Sequence, residues 1–195
     1  MDQAGLTPTV IDAVPADLLS VTYPNNVVVE CGAELKPAQV ENEPTVTWSA
    51  DPGKYYLLLM IDPDAPSKTR PFIGQVNHWM VGNIPGNDVR SPNSDVIVEY
   101  RGSGPPKNTG LHRYVFLVYE QEGKMGFDER RSHAKTYANR FKFSAKKFSE
   151  KYRLGNPIAG NYFQAQWDEH VEEANKNVSI PIQVMFQYVW NKLFF

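Results

Sequence analysis

The most apolar run in the chain, Tyr55 to Ile61, stops abruptly at Asp62-Pro63-Asp64-Ala65-Pro66. Around it recur short segments rich in β-branched and aromatic residues: Val27 to Glu30, Val46 to Trp48, Asn77 to Ile84, Val96 to Tyr100 and Tyr114 to Glu120. Clusters of Pro and Gly separate them, as expected of strands joined by turns. The intervals leave no room for repeated crossover helices, so the pattern predicts an antiparallel sandwich or barrel rather than a parallel sheet. Residues 1–20 alternate apolar pieces with Pro8 and Pro15. That texture predicts an irregular arm with a helical turn or two, packed on the edge of the domain.

After Gln121 the pattern changes. Residues 130–153 hold nine Lys or Arg against the single Glu150, the one strong charge asymmetry in the chain. Ser144 is placed to cap a helix in which Phe148 and Tyr152 fall one turn apart, with Lys146, Lys147 and Lys151 off that stripe. A solvated helix face and a partner surface both fit this pattern. Phe163, Ala165 and Trp167 then alternate as a strand, and Asp168 is placed to cap a short helix through Val171 and Ala174. Residues 178–195 read equally as a helical stripe or an alternating strand. Gln183, Gln187, Asn191 and Lys192 interrupt them too often for a transmembrane span. An extra packing element is expected there, with a peripheral membrane contact as the alternative.

Composition adds bounds. With 195 residues, 42% hydrophobic and 12% aromatic, the chain supports one sizeable core. The expected division is an arm over 1–20, a single domain over 21–177 and an apolar extension over 178–195. A formal net charge of -2 gives no general attraction for nucleic acid or an anionic membrane. One cysteine, Cys31, excludes an internal disulfide framework and suits a reducing compartment. The first residues carry Asp2 and Asp12 without a basic or strongly apolar stretch, so a cytoplasmic protein is expected.

Chemistry concentrates at the end of the apolar run. Pro63 and Pro66 cannot continue a central ladder, so they hold Asp62 at a strand mouth. Two of the four histidines, His78 and His112, stand in strand-like settings. Period two places His78 with Met80 opposite Trp79, and His112 with Tyr114. Gly102 to Gly110 is a rigid loop of Gly and Pro able to bring amide hydrogens to an anion. Together these predict a small pocket for phosphate or carboxylate. A phosphate about 4 Å from Asp62 would meet a repulsion of about 4 kcal/mol at an effective dielectric of 20. Asp62 must therefore orient a histidine, accept a ligand ammonium or carry a proton. A metal triad of Asp62, His78 and His112 has no supporting His-Glu-x-x-His or Cys/His spacing. No Gly-x-Ser-x-Gly elbow, Walker or dinucleotide motif occurs either.

Asp62-Pro63-Asp64-Ala65-Pro66, His78-Trp79 and Gly104-Pro105-Pro106 through Gly110-Leu111-His112-Arg113-Tyr114, in that order, resemble the phosphatidylethanolamine-binding protein family. The likeness runs from about Val21 to about Asn175. It implies a mainly β fold, a large antiparallel sheet against a smaller sheet with a few short peripheral helices. It also implies that Asp62, Pro66, His78, Gly104, Pro106 and His112, with Tyr114 beside them, match the family's anion pocket, which takes head groups such as that of phosphatidylethanolamine. The implied function is non-enzymatic and regulatory binding, with no cofactor. The alternative is a protein that inhibits a kinase or serine protease through its rim and the basic segment, and a metal-dependent hydrolase stands third. Asn175 replaces a pocket-mouth tyrosine of animal members, which implies a looser or differently built lid, and the 178–195 tail has no counterpart in them.

Overall fold

A computed structural model describes residues 4–176, 178 and 179 of the chain. At its centre lies β5 (Tyr55–Asp62), flanked by β6 (Val76–Pro85) and β8 (His112–Gln121). The sheet continues through β7 (Asp95–Val98) on one side and β9 (Ala159–Ala165) and β1 (Asp17–Leu18) on the other, in the order β1-β9-β8-β5-β6-β7. Its pairs are antiparallel except the edge pair β1–β9, which is parallel, so the large sheet is mixed where an antiparallel one is expected. A three-stranded sheet, β3-β2-β4, is made by β2 (Ser20–Tyr23), β3 (Val27–Val28) and β4 (Thr45–Thr47).

The unbroken apolar run follows from burial on both faces. Tyr56, Leu58 and Met60 enter one core with Trp79, Phe116, Phe163 and the small sheet's Val21, Tyr23 and Val46. Leu57, Leu59 and Ile61 enter a second core with Val115, Leu117 and Phe148. A strand covered on both sides carries apolar residues at every position. Leu6, Val10 and Ile11 belong to that second core, so the arm lies over the sheet face and not only along its edge.

Ser144 caps α1 (Ala145–Tyr152) as expected, its hydroxyl accepting from the Lys147 amide at 3.3 Å. Asp168 precedes α2 (Glu169–Asn175) but makes no side-chain cap bond; its buried Oδ1 has no partner among the described residues. The last strand stops at Ala165, and Trp167 leaves it. Of the C-terminal extension, Val178 packs beside Phe72 and Phe141, and Ser179 bridges to Thr136. The helix and strand readings of the remainder lie outside the described residues.

One irregularity aims a candidate residue. Met60 pairs with Trp79 and Ile61 with Asn77, so β6 carries one extra residue, His78. Such a bulge turns its extra side chain out of the alternating register. The His78 ring meets the Tyr114 ring edge-on at 5.2 Å, on the face that holds Trp79. The simple alternation that puts His78 with Met80 is thereby corrected.

Candidate functional site

Where β5, β6 and β8 end, a cavity of about 410 Å³ opens. Asp62, Pro66, His78, Gly104, Pro106 and Tyr114 line it. Of the residues expected from sequence, only His112 stands back: it is fully buried behind Asp62, outside the lining. Ile73, Tyr137, Phe141, Lys107, Trp167, Val171 and Glu172 complete the walls, with Asn175 at the end of α2. Sequence reading missed these except Asn175. Tyr137 and Phe141 stack at 5.4 Å four positions apart, inside the segment whose lysines and arginines drew attention instead.

His112 balances the carboxylate at this floor. Its Nδ1 donates to Asp62 Oδ2 at 2.8 Å, and its Nε2 lies 2.9 Å from the Thr109 hydroxyl. That hydroxyl gives its single hydrogen to the Pro106 carbonyl at 2.7 Å. Nε2 must therefore donate as well, and a ring donating from both nitrogens is an imidazolium. Burial works against that charge, but the hydrogen bond and charge of Asp62, with Asp64 behind, outweigh it and raise the His112 pKa. The Asp62 charge is thus compensated, and its Oδ1 already accepts from the Asp64 amide at 2.7 Å.

His78 behaves oppositely. Nδ1 lies 2.9 Å from the Arg101 carbonyl, which can only accept, so Nδ1 carries a hydrogen. Burial, helped by the charges of Arg140 and Arg101 and opposed by Asp62, pushes its pKa down to about 4. At neutral pH His78 is uncharged and Nε2 offers a lone pair. Of the loop's amides, Gly104 N–H gives to the Tyr114 hydroxyl at 3.3 Å, and Pro105 and Pro106 have none.

Two guanidiniums stand behind the floor. Arg140, fully buried, donates to the carbonyls of Thr136, Asn77, His78, Glu99 and His133 at 2.8–3.1 Å. Burial lowers its pKa to about 10, still far above neutrality. Arg101 lies 4.5 Å over the Tyr137 ring and donates to the Ala134 carbonyl and to Asn175 Oδ1. Neither meets a carboxylate within ion-pair distance among the described residues. The floor therefore has an excess of positive charge. At the mouth Asn175 is tied to Arg101, while Lys107 lies 4.2 Å over Trp167.

The basic segment is partly spent. Arg131 pairs with Asp95 at 2.7 Å, Lys146 with Asp12, and Lys151 with Asp128 and Glu129 at 2.6 and 2.7 Å. With Arg140 buried, four of the nine cations already have internal roles.

The two histidines give stability opposite pH slopes. Between about pH 4 and 6.5 the unfolded chain protonates His78 while the fold refuses the proton, so stability rises with pH. Above roughly 6.5 the fold retains the His112 proton that the unfolded chain releases, so stability falls until the raised pKa is passed. The acid limb approaches about 1.4 kcal/mol per pH unit. Urea unfolding at pH 4.5, 6.5 and 8.5 should give a maximum at the middle value, with His78→Phe flattening only the acid limb.

A family model described as phosphatidylethanolamine-binding protein matches residues 22–163, and the chain belongs to that family. It is 38% identical over 178 residues, 91% of this chain and 84% of the relative, to "Putative odorant-binding protein A5" of Drosophila melanogaster. It is 41% identical over 163 residues to the "26 kDa secreted antigen" of Toxocara canis, covering 84% of this chain and 62% of that antigen's length. The solution structure named CG7054 superposes with a TM-score of 0.71 at 43% identity, covering 89% of this chain and 97% of that one. Among the described residues no helix is long and apolar enough to cross a membrane, and no group of three His, Cys, Asp or Glu side chains is arranged to hold a metal ion.

Proposed function

We propose that this pocket binds phosphate-like groups, including phospholipid head groups of the phosphatidylethanolamine type, as a non-enzymatic regulatory protein of the cytoplasm. The observation that carries the reading is the floor: a carboxylate cancelled by a buried imidazolium, backed by Arg101 and Arg140 without carboxylate partners among the described residues. A net positive, water-poor floor attracts an anion without a lysine or arginine needing to touch it. The hydrolase reading finds less support, because His112, donating from both ring nitrogens, has no lone pair for a metal or a substrate proton, and both Asp62 oxygens already accept, from His112 and the Asp64 amide. Inhibition of a kinase or protease through the basic segment would draw on fewer cations than the composition implies, since Arg131, Lys146 and Lys151 are paired internally.

Calorimetric titration with phosphoethanolamine tests the proposal. Binding is expected, weakened tenfold or more by His78→Ala and reduced by His112→Ala, which leaves Asp62 uncompensated. Unchanged affinity in both variants would remove the pocket from consideration. The apolar outer wall of Ile73, Tyr137, Phe141, Trp167 and Val171 adds a second reading, a small apolar molecule carrying an anionic group, the Drosophila relative being named for binding an odorant. Phenyl phosphate in the same titration then binds more tightly than phosphoethanolamine.

A further inference from the structure

We infer that the anion enters this pocket together with one proton, shared between the ligand and His78 Nε2, so that the site favours singly charged phosphate monoesters over phosphodiesters. The inference rests on the reading that the pocket binds a phosphate-like group, and it narrows the class of that group.

A count of hydrogens at the floor leads to it. His78 spends Nδ1–H on the Arg101 carbonyl, which leaves Nε2 with only a lone pair. Both oxygens of Asp62 accept already, from His112 and from the Asp64 amide. The Gly104 amide is committed to Tyr114, and the two prolines after it have no amide hydrogen. Arg140 faces His78 from the segment before α1, but all its nitrogens serve carbonyls. Arg101 follows β7 and serves Ala134 and Asn175; its buried Nε–H has no partner among the described residues, but Arg101 lies outside the cavity lining. Lys107 and Glu172 stand at the rim rather than the floor, whereas Tyr114 on β8, which stays protonated because burial raises its pKa, and the amide nitrogen of Asn175 keep hydrogens they can give to a ligand.

The floor therefore has positive charge behind it, donors at Tyr114 and Asn175, and acceptors only at His78 Nε2 and Asp62. A phosphate dianion here would set its lone pairs against those of Nε2 and Asp62, at a cost that buried acceptors without a hydrogen between them always incur. One proton on the oxygen nearest Nε2 turns that contact into a hydrogen bond. Monoesters carry such a proton below a second pKa of about 6 and recover it cheaply at neutral pH. A diester has none to share, so the proton must go onto His78 itself. At pH 7 that position, with a pKa of about 4, sits three units from protonation, about a thousandfold in affinity before the anion's own help.

Calorimetry in two buffers of different ionisation enthalpy reads the proton count directly, on the unaltered protein. Phosphoethanolamine, a monoester, is expected to take up close to one proton at pH 7.5 and almost none at pH 5. Its affinity should fall about tenfold per pH unit above roughly pH 6. Glycerophosphoethanolamine, the diester of a lipid head group without the lipid, should take up a proton at both pH values and bind at least tenfold more weakly at pH 7. Uptake below about 0.2 proton at pH 7.5 with affinity flat across pH overturns the inference while leaving phosphate binding intact. Failure of both compounds to bind between pH 5 and 8 removes the phosphate reading and this inference with it. His78→Gln supplies a permanent N–H donor and should flatten the diester's pH dependence; if that variant does not fold, the proton count on the unaltered protein decides alone.

Discussion

Arg140→Met is expected to cost about 3–5 kcal/mol of folding stability, because five carbonyls, those of Asn77 and His78 in buried bonds, lose the guanidinium together. Two effects compete. Taking a guanidinium out of water is expensive, and replacing a buried ion with an apolar side chain is often neutral when its partners are replaced too. Here the partners are main-chain carbonyls that no substitution removes. Asn77 and His78 would stay buried without the Arg140 hydrogens, the His78 carbonyl keeping only the bond from the Arg101 amide, and methionine has no hydrogen to offer. The orphaned carbonyls decide the sign. For a chain of this size the midpoint of thermal unfolding should fall by roughly 10 °C. Arg140→Lys separates charge from geometry: three donors on one nitrogen cannot reach carbonyls that the planar fork spans, so lysine should recover less than half the loss. A loss under 1 kcal/mol for methionine would mean that the carbonyls find water or new partners. The variant should also bind phosphoethanolamine more weakly, since Arg140 fixes the carbonyl of His78 and supplies charge behind the floor.

What the sequence disclosed and what it hid divide along a physical line. Strands whose faces are both buried are legible because every position must be apolar, and β5 and β8 fall where their residues predict. The turn at Asp62 is legible because proline forbids a ladder. The direction of His78 is not, since one inserted residue in β6 reverses its face and no composition marks a bulge. The pairing of Asp62 with His112 joins positions 50 residues apart and depends on strand register. Arg140 was hidden by its neighbours, because in a basic stretch a cation serving five carbonyls looks like the solvated ones beside it. The pocket's aromatic wall was hidden likewise, Tyr137 and Phe141 being read as part of a charged segment.

Asp64→Ala is expected to cost a further 3–5 kcal/mol in its own right, while leaving affinity for phosphoethanolamine within about threefold. Asp64 is buried and accepts three times from one residue: from the Arg113 amide at 2.9 Å, from Nε at 2.8 Å and from the terminal nitrogen at 2.6 Å. The remaining arm of that guanidinium holds the carbonyls of Ala4 and Gly5. Removing the carboxylate strands a guanidinium only 11% exposed, and it loosens the link that anchors Leu6, Val10 and Ile11 over the sheet. Limited proteolysis within residues 5–16 should therefore accelerate along with the loss of unfolding free energy. The pocket is insulated because what Asp62 takes from its neighbour is the Asp64 main-chain amide, which alanine keeps. Two carboxylates two residues apart thus divide the work of one turn, Asp62 holding the charge state of the floor and Asp64 holding the arm. A parallel collapse of affinity in the folded fraction of Asp64→Ala would show instead that the turn acts as one unit, and that the position of Asp62 depends on the ion pair beside it.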